Sequence, residues 1–379
     1  MPRLLATLST ALLIGLILPT RAEAEWRDRL PDDLRVSGRY FWAAGYSFER
    51  PYIDDGLFAE LNLRLNGRYT IDPDWKLEFA YQVDGTYAEG LGALQLPAGD
   101  GLMDLRWPLE ERTNWRASHG LDRLDLIYRN GNCTLDIGRQ RIAWRTAFTM
   151  SIMDMFHPVR PGDPFVPEQP GTDAVRLQIA TGPTSGWDTL YAWFDDEGGE
   201  AVAARYHDVH GDFESAWSVG RIWGESFAEY ETSGDVNDIG IRIEAAWRDS
   251  DRGNPFQLAF ETDFAPNNST YICGEVLYNG PGGTKPTEYD LTLLERGGTY
   301  LARWYAGLNC TYNPGGLSTL GILGIANLSD DSWFADVSLQ HSLSNSSDLR
   351  IGYQHYEGDL ITQYGALPDM LYLITSVYF

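Results

Sequence analysis

Segments of about ten residues along this chain alternate between apolar and polar side chains. In one of the clearest, Leu61, Leu63 and Leu65 alternate with polar residues at the positions between them. Successive side chains of a β-strand point to opposite faces, so each such segment has one apolar and one polar face. The same pattern recurs in segments that begin near positions 75, 123, 175, 239, 256, 333 and 349. It predicts an all-β chain.

The connections between these segments alternate in length, as the turns and loops of a transmembrane barrel do. The short ones are 71–74, 130–132, 181–186, 208–212, 249–255, 313–316 and 345–348, and the long ones are 86–120, 145–172, 224–237, 265–298 and 358–369. Pairing one short turn with one long loop predicts an antiparallel transmembrane barrel of about 16 strands, with roughly 14 to 18 as the range. The strand-like run Thr270–Tyr278 then falls in a hairpin inside the 265–298 loop.

A soluble sandwich with one wet face would show the same alternation. Aromatic residues stand at the ends of several segments, where the two membrane interfaces favour them: Tyr69, Trp75, Tyr128, Trp247 and Trp333. This placement favours the membrane barrel.

The N-terminus has the pattern of a cleaved secretory signal. Arg3 precedes an apolar run from Leu4 to Leu18, and Ala22-Glu-Ala24 supplies small residues for cleavage. The apolar run is shorter than the roughly 20 residues that a spanning helix needs. We therefore expect residues 1–24 to be a signal peptide and residues 25–379 to form the barrel.

The C-terminus ends in a β-prone run whose alternate residues share one face: Leu371, Leu373, Thr375, Val377 and Phe379. It resembles the closing strand of Gram-negative outer-membrane barrels. The resemblance implies that Phe379 is a signal read by the barrel-assembly machinery. It also implies that the outer face contacts outer-membrane lipid.

Composition narrows the classes of function. The chain has 54 Asp plus Glu against 29 Lys plus Arg, a formal net charge of −25. Nothing in it supplies the basic footprint of a nucleic-acid-binding protein. Three cysteines exclude a disulfide-rich scaffold. His341 and Ser342 are neighbours on a strand, so they point to opposite faces. We expect no catalytic site, no metal site and no cofactor.

The polar face of the strands predicts the lining of the lumen. It collects eleven arginines against fewer inward acids, so an acidic protein is predicted to keep a relatively basic interior. The predicted pore-lining residues are Arg35, Arg39, Arg64, Arg68, Arg123, Arg129, Arg176, Arg205, Arg242, Arg303, Arg350, Glu78, Asp125 and Asp336. These charges either select permeating solutes or form salt bridges with their neighbours.

The connection 145–172 is too apolar for an exposed loop, because it carries Phe148, Met150, Ile152, Met153 and Phe156. Folding into the barrel mouth as a constriction would bury these side chains, and a lid packed on the rim is the alternative. The constriction would place five polar residues near the lumen: Asp154, His157, Arg160, Asp163 and Glu168.

Ile137-Gly-Arg-Gln140, the Pro-rich connection and Gly171-Thr-Asp-Ala-Val-Arg176 together resemble the alginate-export and porin-like superfamily of outer-membrane barrels. The resemblance implies a monomeric channel whose solute varies widely between members. The chain lacks the Pro-Glu-Phe-Gly-Gly loop sequence of general trimeric porins.

These observations predict a Gram-negative outer-membrane channel that admits small hydrophilic solutes, anions among them, by passive or selective diffusion. Two alternatives stay open. One is the barrel sleeve of a porin–cytochrome conduit, in which a periplasmic partner protein carries the haem. The other is an exporter of an anionic polysaccharide.

Overall fold

The computed structural model describes residues 30–89, 102–153, 155–156, 161–165, 168–194, 199–249, 253–295 and 299–379. The predicted signal peptide, 1–24, lies outside the described residues, and its cleavage stays a prediction. Within the described ranges, no helix combines the length and apolar character needed to cross a bilayer.

The described ranges form nineteen strands, a 3₁₀ turn at Pro286–Glu288 and a one-turn helix at Thr292–Glu295. The strands are β1 Leu34–Ser47, β2 Gly56–Thr70, β3 Trp75–Ala88, β4 Arg106–Arg112, β5 Trp115–Asn130, β6 Cys133–Gln140, β7 Thr172–Ala180, β8 Gly186–Trp193, β9 Glu200–His210, β10 Phe213–Ile222, β11 Glu225–Val236, β12 Ile239–Arg248, β13 Phe256–Asn267, β14 Thr270–Asn279, β15 Trp304–Tyr312, β16 Ser318–Asn327, β17 Ser332–Ser344, β18 Ser347–Glu357 and β19 Met370–Tyr378.

Antiparallel pairing runs round a closed barrel. Each wall strand pairs with its neighbours along the chain, and β19 pairs back onto β1 from Arg39↔Tyr378 to Ser47↔Met370. Among the described strands, β4 alone is not part of this sequential pairing. β3 pairs directly with β5, and β4 pairs only with the first half of β5, from Trp115 to Gly120. The wall therefore has eighteen strands, and β4 is additional.

Eighteen strands is the upper limit of the predicted range of 14 to 18, and the central figure of about 16 is wrong because it took two wall strands for loops. β14 covers the run that was assigned to a hairpin in the 265–298 loop, and β11 covers most of the predicted 224–237 loop. The outward positions of β11 include Ser226, Ala228 and Thr232, so its apolar face is weak and the alternation is hidden. The short turns absent from the prediction are 237–238 and 268–269. The connection 249–255, predicted as a short turn, joins its strands at the opposite end of the barrel.

The two faces of the wall differ as the period-two pattern predicts. On β13, Phe256, Leu258 and Phe260 are exposed on the outer face, whereas Ala259 and Glu261 are buried on the inner face. The start of β1 and the end of β19 lie at the end of the barrel with the short turns. The long connections, including 141–171, 280–303 and 358–369, leave the opposite end.

β4 continues the wall where β6 stops. β5 pairs with β6 from Leu124 to Asn130 and with β4 from Trp115 to Gly120. At the junction, Arg139 of β6 and Asp173 of β7 form a buried ion pair of 2.8 Å. The backbone N–H of Met103 donates to Asp173 at 2.8 Å. The segment leading into β4 is thereby tied to the ends of β6 and β7.

A closed barrel of this kind predicts a simple gel result. Its backbone hydrogen bonds form a ring without a free edge, so the folded protein should resist dodecyl sulfate until it is heated. We expect folded and boiled samples to migrate differently, and the circular dichroism spectrum in detergent to be dominated by strand. A mainly helical spectrum would contradict the fold.

Candidate functional site

The described part of the connection 141–171 lies inside the barrel, where inward-facing glutamates bind its backbone. Glu244 on β12 is 0% exposed. Its carboxylate accepts hydrogen bonds from the backbone N–H groups of Thr146 at 2.9 Å, Ala147 at 2.8 Å and Ile152 at 2.9 Å. The hydroxyl of Ser151 donates to it at 3.0 Å. One buried carboxylate thus accepts hydrogen bonds from the loop at 146–147 and again at 151–152.

Three further glutamates on neighbouring strands hold the same segment. Glu231 accepts from the hydroxyl of Thr146 at 2.8 Å, Glu261 from the Phe148 N–H at 2.8 Å and Glu275 from the Met150 N–H at 2.9 Å. We call Glu231, Glu244, Glu261 and Glu275 the glutamate row. Buried N–H groups need acceptors, and hydrogen bonds to carboxylates are stronger than neutral ones. The row fixes the loop across β11 to β14.

The apolar side chains of the loop pack against small inward residues of the wall. Met150, Ile152 and Met153 belong to one buried cluster that includes Ala246 and Ala259. Trp144, Met155 and Phe156 belong to another, which includes Ala192, Ala201 and Ala203. Alanines at inward positions leave room for the larger loop side chains. The loop therefore has a core of its own inside the barrel.

The second half of the loop contacts the opposite part of the wall. The side chain of Gln354 on β18 donates to the carbonyl of Gly162. The ring of Phe165 lies 5.0 Å from that of Phe58 and 5.7 Å from that of Tyr372, measured between centroids. Together with the glutamate row, these contacts tie the loop to both sides of the lumen.

Two of the predicted pore-lining arginines anchor the end of the loop. Arg64 on β2 forms ion pairs with Asp122 at 2.6 Å and with Glu168 at 2.9 Å. Arg123 on β5 pairs with the same Asp122 at 2.8 Å and donates to the carbonyl of Gln169 at 2.6 Å. Arg64 and Arg123 are both buried. They hold the returning chain against β2 and β5.

Most of the other predicted arginines pair with inward acids. The pairs are Arg68–Glu78, Arg176–Asp188, Arg205–Glu231, Arg242 with Glu261 and Asp263, and Arg350–Asp336. Arg39 donates to Asn62 at 3.4 Å, and Arg129 to the hydroxyl of Thr134 at 3.4 Å. Arg303 lies in the connection before β15 and donates to the carbonyl of Gly282 at 3.2 Å. Asp125 lies opposite Glu78 in the β3–β5 register.

Several inward acids could not be recognised from the alternation of the sequence. Glu229, Glu231 and Glu275 lie on the two strands taken for loops. Asp122 faces inward because it is the extra residue of a register shift, with no partner opposite it on β3. Glu229, Glu231 and Asp122 form ion pairs with arginines, and Glu275 binds the loop. The described lumen is therefore a set of ion pairs more than a basic surface.

The predicted constriction residues are only partly described. Asp163 accepts from the backbone N–H of Phe165 at 2.9 Å, and Glu168 pairs with Arg64. Asp154, His157 and Arg160 lie outside the described residues, so their placement near the lumen stays a prediction.

Phe379 lies at the seam where the barrel closes. Its backbone N–H donates to the carbonyl of Gly38 at 3.0 Å, and the Gly38 N–H donates to the Phe379 carbonyl at 2.6 Å. A Cβ added at Gly38 would stand 2.4 Å from the Phe379 ring. The terminal ring therefore covers this glycine. Its recognition by the assembly machinery stays a prediction.

Among the described residues, no group of three or more His, Cys, Asp or Glu is arranged to hold a metal ion. His341, which is exposed, hydrogen-bonds to the half-buried Ser318 at 2.8 Å. Cys273, which the sequence placed in a loop, is buried on β14.

Arg64 and Arg68 on the same strand offer a direct comparison. The Arg64 side chain is 4% exposed and that of Arg68 is 54% exposed. Breaking a buried pair leaves uncompensated carboxylates and costs about 3–5 kcal/mol, whereas an exposed pair contributes about 0–1 kcal/mol. We expect Arg64→Met to lower the temperature at which the folded gel band disappears, and Arg68→Met to leave it nearly unchanged. Equal effects would contradict the anchoring role of Arg64.

No protein-family model matches this chain, and no curated protein matches it. Solved structures do share its fold. OccK7 (OpdD) of Pseudomonas aeruginosa superposes with a TM-score of 0.59 at 12% identity, covering 91% of this chain and 99% of that one. OccAB1 of Acinetobacter baumannii gives 0.60 at 10% identity, covering 92% and 97%. OccK5 (OpdH) of P. aeruginosa gives 0.58 at 9% identity, covering 91% and 97%. The chain therefore has the fold of the outer-membrane porin barrels.

Proposed function

We propose that this protein is a channel in the outer membrane of a Gram-negative bacterium, through which small hydrophilic solutes diffuse. The apolar outer face suits contact with lipid, and the charged inner face suits water and polar solutes. The likeness of its fold to the Occ porins supports the same function.

The observation that carries the proposal is the loop bound inside the barrel by the glutamate row. A barrel that served only as a scaffold would not need four carboxylates on four neighbouring strands to hold a connection across its lumen. Narrowing a wide barrel brings its walls close to a passing solute, and charges act more strongly where water is excluded. The loop is the constriction of this channel.

The preference for anions rests on three arginines. Arg35, Arg68 and Arg129 are exposed at the ends of β1, β2 and β5 that face the short turns. Arg68 pairs there with Glu78, whereas Arg35 and Arg129 form no ion pair with another described residue. Arginine keeps its charge at any physiological pH, so their field is constant. The arginines deeper in the lumen are mostly neutralised by ion pairs. Selectivity for anions is therefore expected to arise at this mouth of the lumen.

The inserted loop argues against the two alternatives. A polysaccharide in transit, or a haem-bearing partner inside a sleeve, would need the space that the loop and its apolar clusters occupy. The resemblance to the alginate-export superfamily thus supports a barrel of this general type more than it supports a polymer as cargo. A visible spectrum of the purified protein without a haem band would agree with this interpretation.

Planar-bilayer recordings test the proposal. We expect discrete conductance steps and, in a salt gradient, a reversal potential on the anion side. Replacing Arg35, Arg68 and Arg129 together by Gln should move that potential towards cations, and high salt should reduce the shift by screening. A protein that forms no conducting steps would refute the channel. An unchanged reversal potential would refute only the anion preference.

A further inference from the structure

One aromatic side chain of the inserted loop is exposed instead of buried. Phe148 is 58% exposed. The other large apolar residues described between positions 141 and 156 are buried: Ile142, Trp144, Met150, Ile152, Met153, Met155 and Phe156. Because the backbone of this segment lies on the inner face of the wall, the exposed part of the Phe148 ring faces the lumen.

The ring of Phe148 is held in a fixed orientation. Its backbone N–H donates to Glu261 at 2.8 Å. The guanidinium carbon of Arg242 lies 4.1 Å from the ring centroid, over one face. The ring of Tyr271 lies 6.4 Å away at an interplanar angle of 84°. Arg242 therefore covers one face of Phe148 and Tyr271 lies edge-on to it, while about half of the side chain stays exposed towards the lumen.

The charge beside this ring is already neutralised. Arg242 pairs with Glu261 at 2.9 Å and also with Asp263. A solute that reaches Phe148 thus meets an apolar surface next to a neutralised guanidinium. If the position only faced water, a polar residue would suit it better, because exposed apolar area is unfavourable. The site is suited to contact with a flat ring more than to attraction of an ion.

We infer that Phe148 is a specificity-determining residue of the channel, which stacks against the flat face of ring-bearing solutes. Aromatic rings and sugar rings both offer such a face, together with polar groups that keep them hydrophilic. Arg242 and Tyr271 position the Phe148 ring for this contact. The inference rests on the proposed channel function and adds to it a class of solute.

Two pairs of solutes separate the effect of a ring on permeation from the effects of size and charge. Benzoate and hexanoate carry the same charge, and only benzoate has a ring. Glucose and sorbitol have the same number of carbons, and only glucose forms a ring. Permeation of each is measured by swelling of proteoliposomes that contain the wild type, Phe148→Ala, Phe148→Tyr or Thr149→Ala. Phe148→Tyr keeps the ring, and Thr149→Ala is a neighbouring truncation.

We expect Phe148→Ala to change the benzoate-to-hexanoate or glucose-to-sorbitol rate ratio by about two- to tenfold, the factor that one ring contact contributes. Phe148→Tyr and Thr149→Ala should keep the wild-type ratios. If only the benzoate-to-hexanoate ratio changes, the solutes that Phe148 recognises are aromatic. If only the glucose-to-sorbitol ratio changes, they are sugars.

If all four rates change by one common factor, or if neither ratio moves, Phe148 is only an obstacle in the lumen and the inference is overturned. If the wild type passes ions in a bilayer but does not distinguish the members of either pair, the inference is also overturned while the channel stands. If the wild type passes neither ions nor solutes, both proposals are refuted.

Discussion

Replacing Glu244 by Ala is expected to raise the single-channel conductance several-fold and to make the current noisier. The substitution removes the acceptor of hydrogen bonds from Thr146, Ala147, Ser151 and Ile152. Each buried donor left without a partner costs about 1–3 kcal/mol. The first half of the loop should then leave the wall and sample open positions. Recordings in planar bilayers measure both effects.

Glu214→Ala is the matched control, because Glu214 is an exposed acid near the short-turn end of β10. It removes the same charge without touching the loop, so it should leave the noise unchanged. Glu244→Gln keeps the shape and one acceptor oxygen, and an intermediate conductance is expected. A wild-type conductance in Glu244→Ala would show that the remaining glutamates and the apolar clusters hold the loop without it.

Deleting Phe379 is expected to cause a severe loss of folded barrel in the outer membrane. The deletion removes the two backbone hydrogen bonds that join the terminal residue to Gly38, and it removes the ring over that glycine. Gly38→Val should produce a similar defect, because its side chain would occupy the position of the Phe379 ring. The amount of heat-modifiable band in isolated outer membranes measures both.

Gly274→Val is the control for the glycine substitution. Gly274 lies on β14, and a Cβ added there meets no atom within 4 Å. This variant should assemble like the wild type. If the Phe379 deletion reduces insertion but Gly38→Val does not, Phe379 acts mainly as a signal for the assembly machinery. If neither variant reduces insertion, the terminal residue has no role in assembly.

Much of the fold could be predicted from the sequence because lipid and water impose opposite demands on alternate residues. Strands such as β2 and β13 carry large apolar side chains on their outer face, so the period is plain. The outer face of β11 has small and polar residues, and there the signal fails. A correct count needed the pairing of β11 and β14 with their neighbours, which no local pattern contains.

The candidate site was predicted less completely. The alternation placed Arg64, Arg123 and Arg242 on the inner face, but it could not identify their partners, which depend on register and on the path of the loop. Alanines at inward positions, such as Ala201 and Ala203, were the available signal that something packs inside the barrel. Asp122 gave no signal, because its inward orientation arises from a shift in register.

The glutamate row binds main-chain N–H groups at Thr146, Ala147, Phe148, Met150 and Ile152, and every amino acid except proline offers that group. The loop's hold on the wall is therefore largely indifferent to the identity of its lumen-facing side chains. Position 148 can be exchanged while the segment keeps its place. Such a barrel can change what it admits by point substitution, in evolution or in the laboratory, without having to re-establish its architecture.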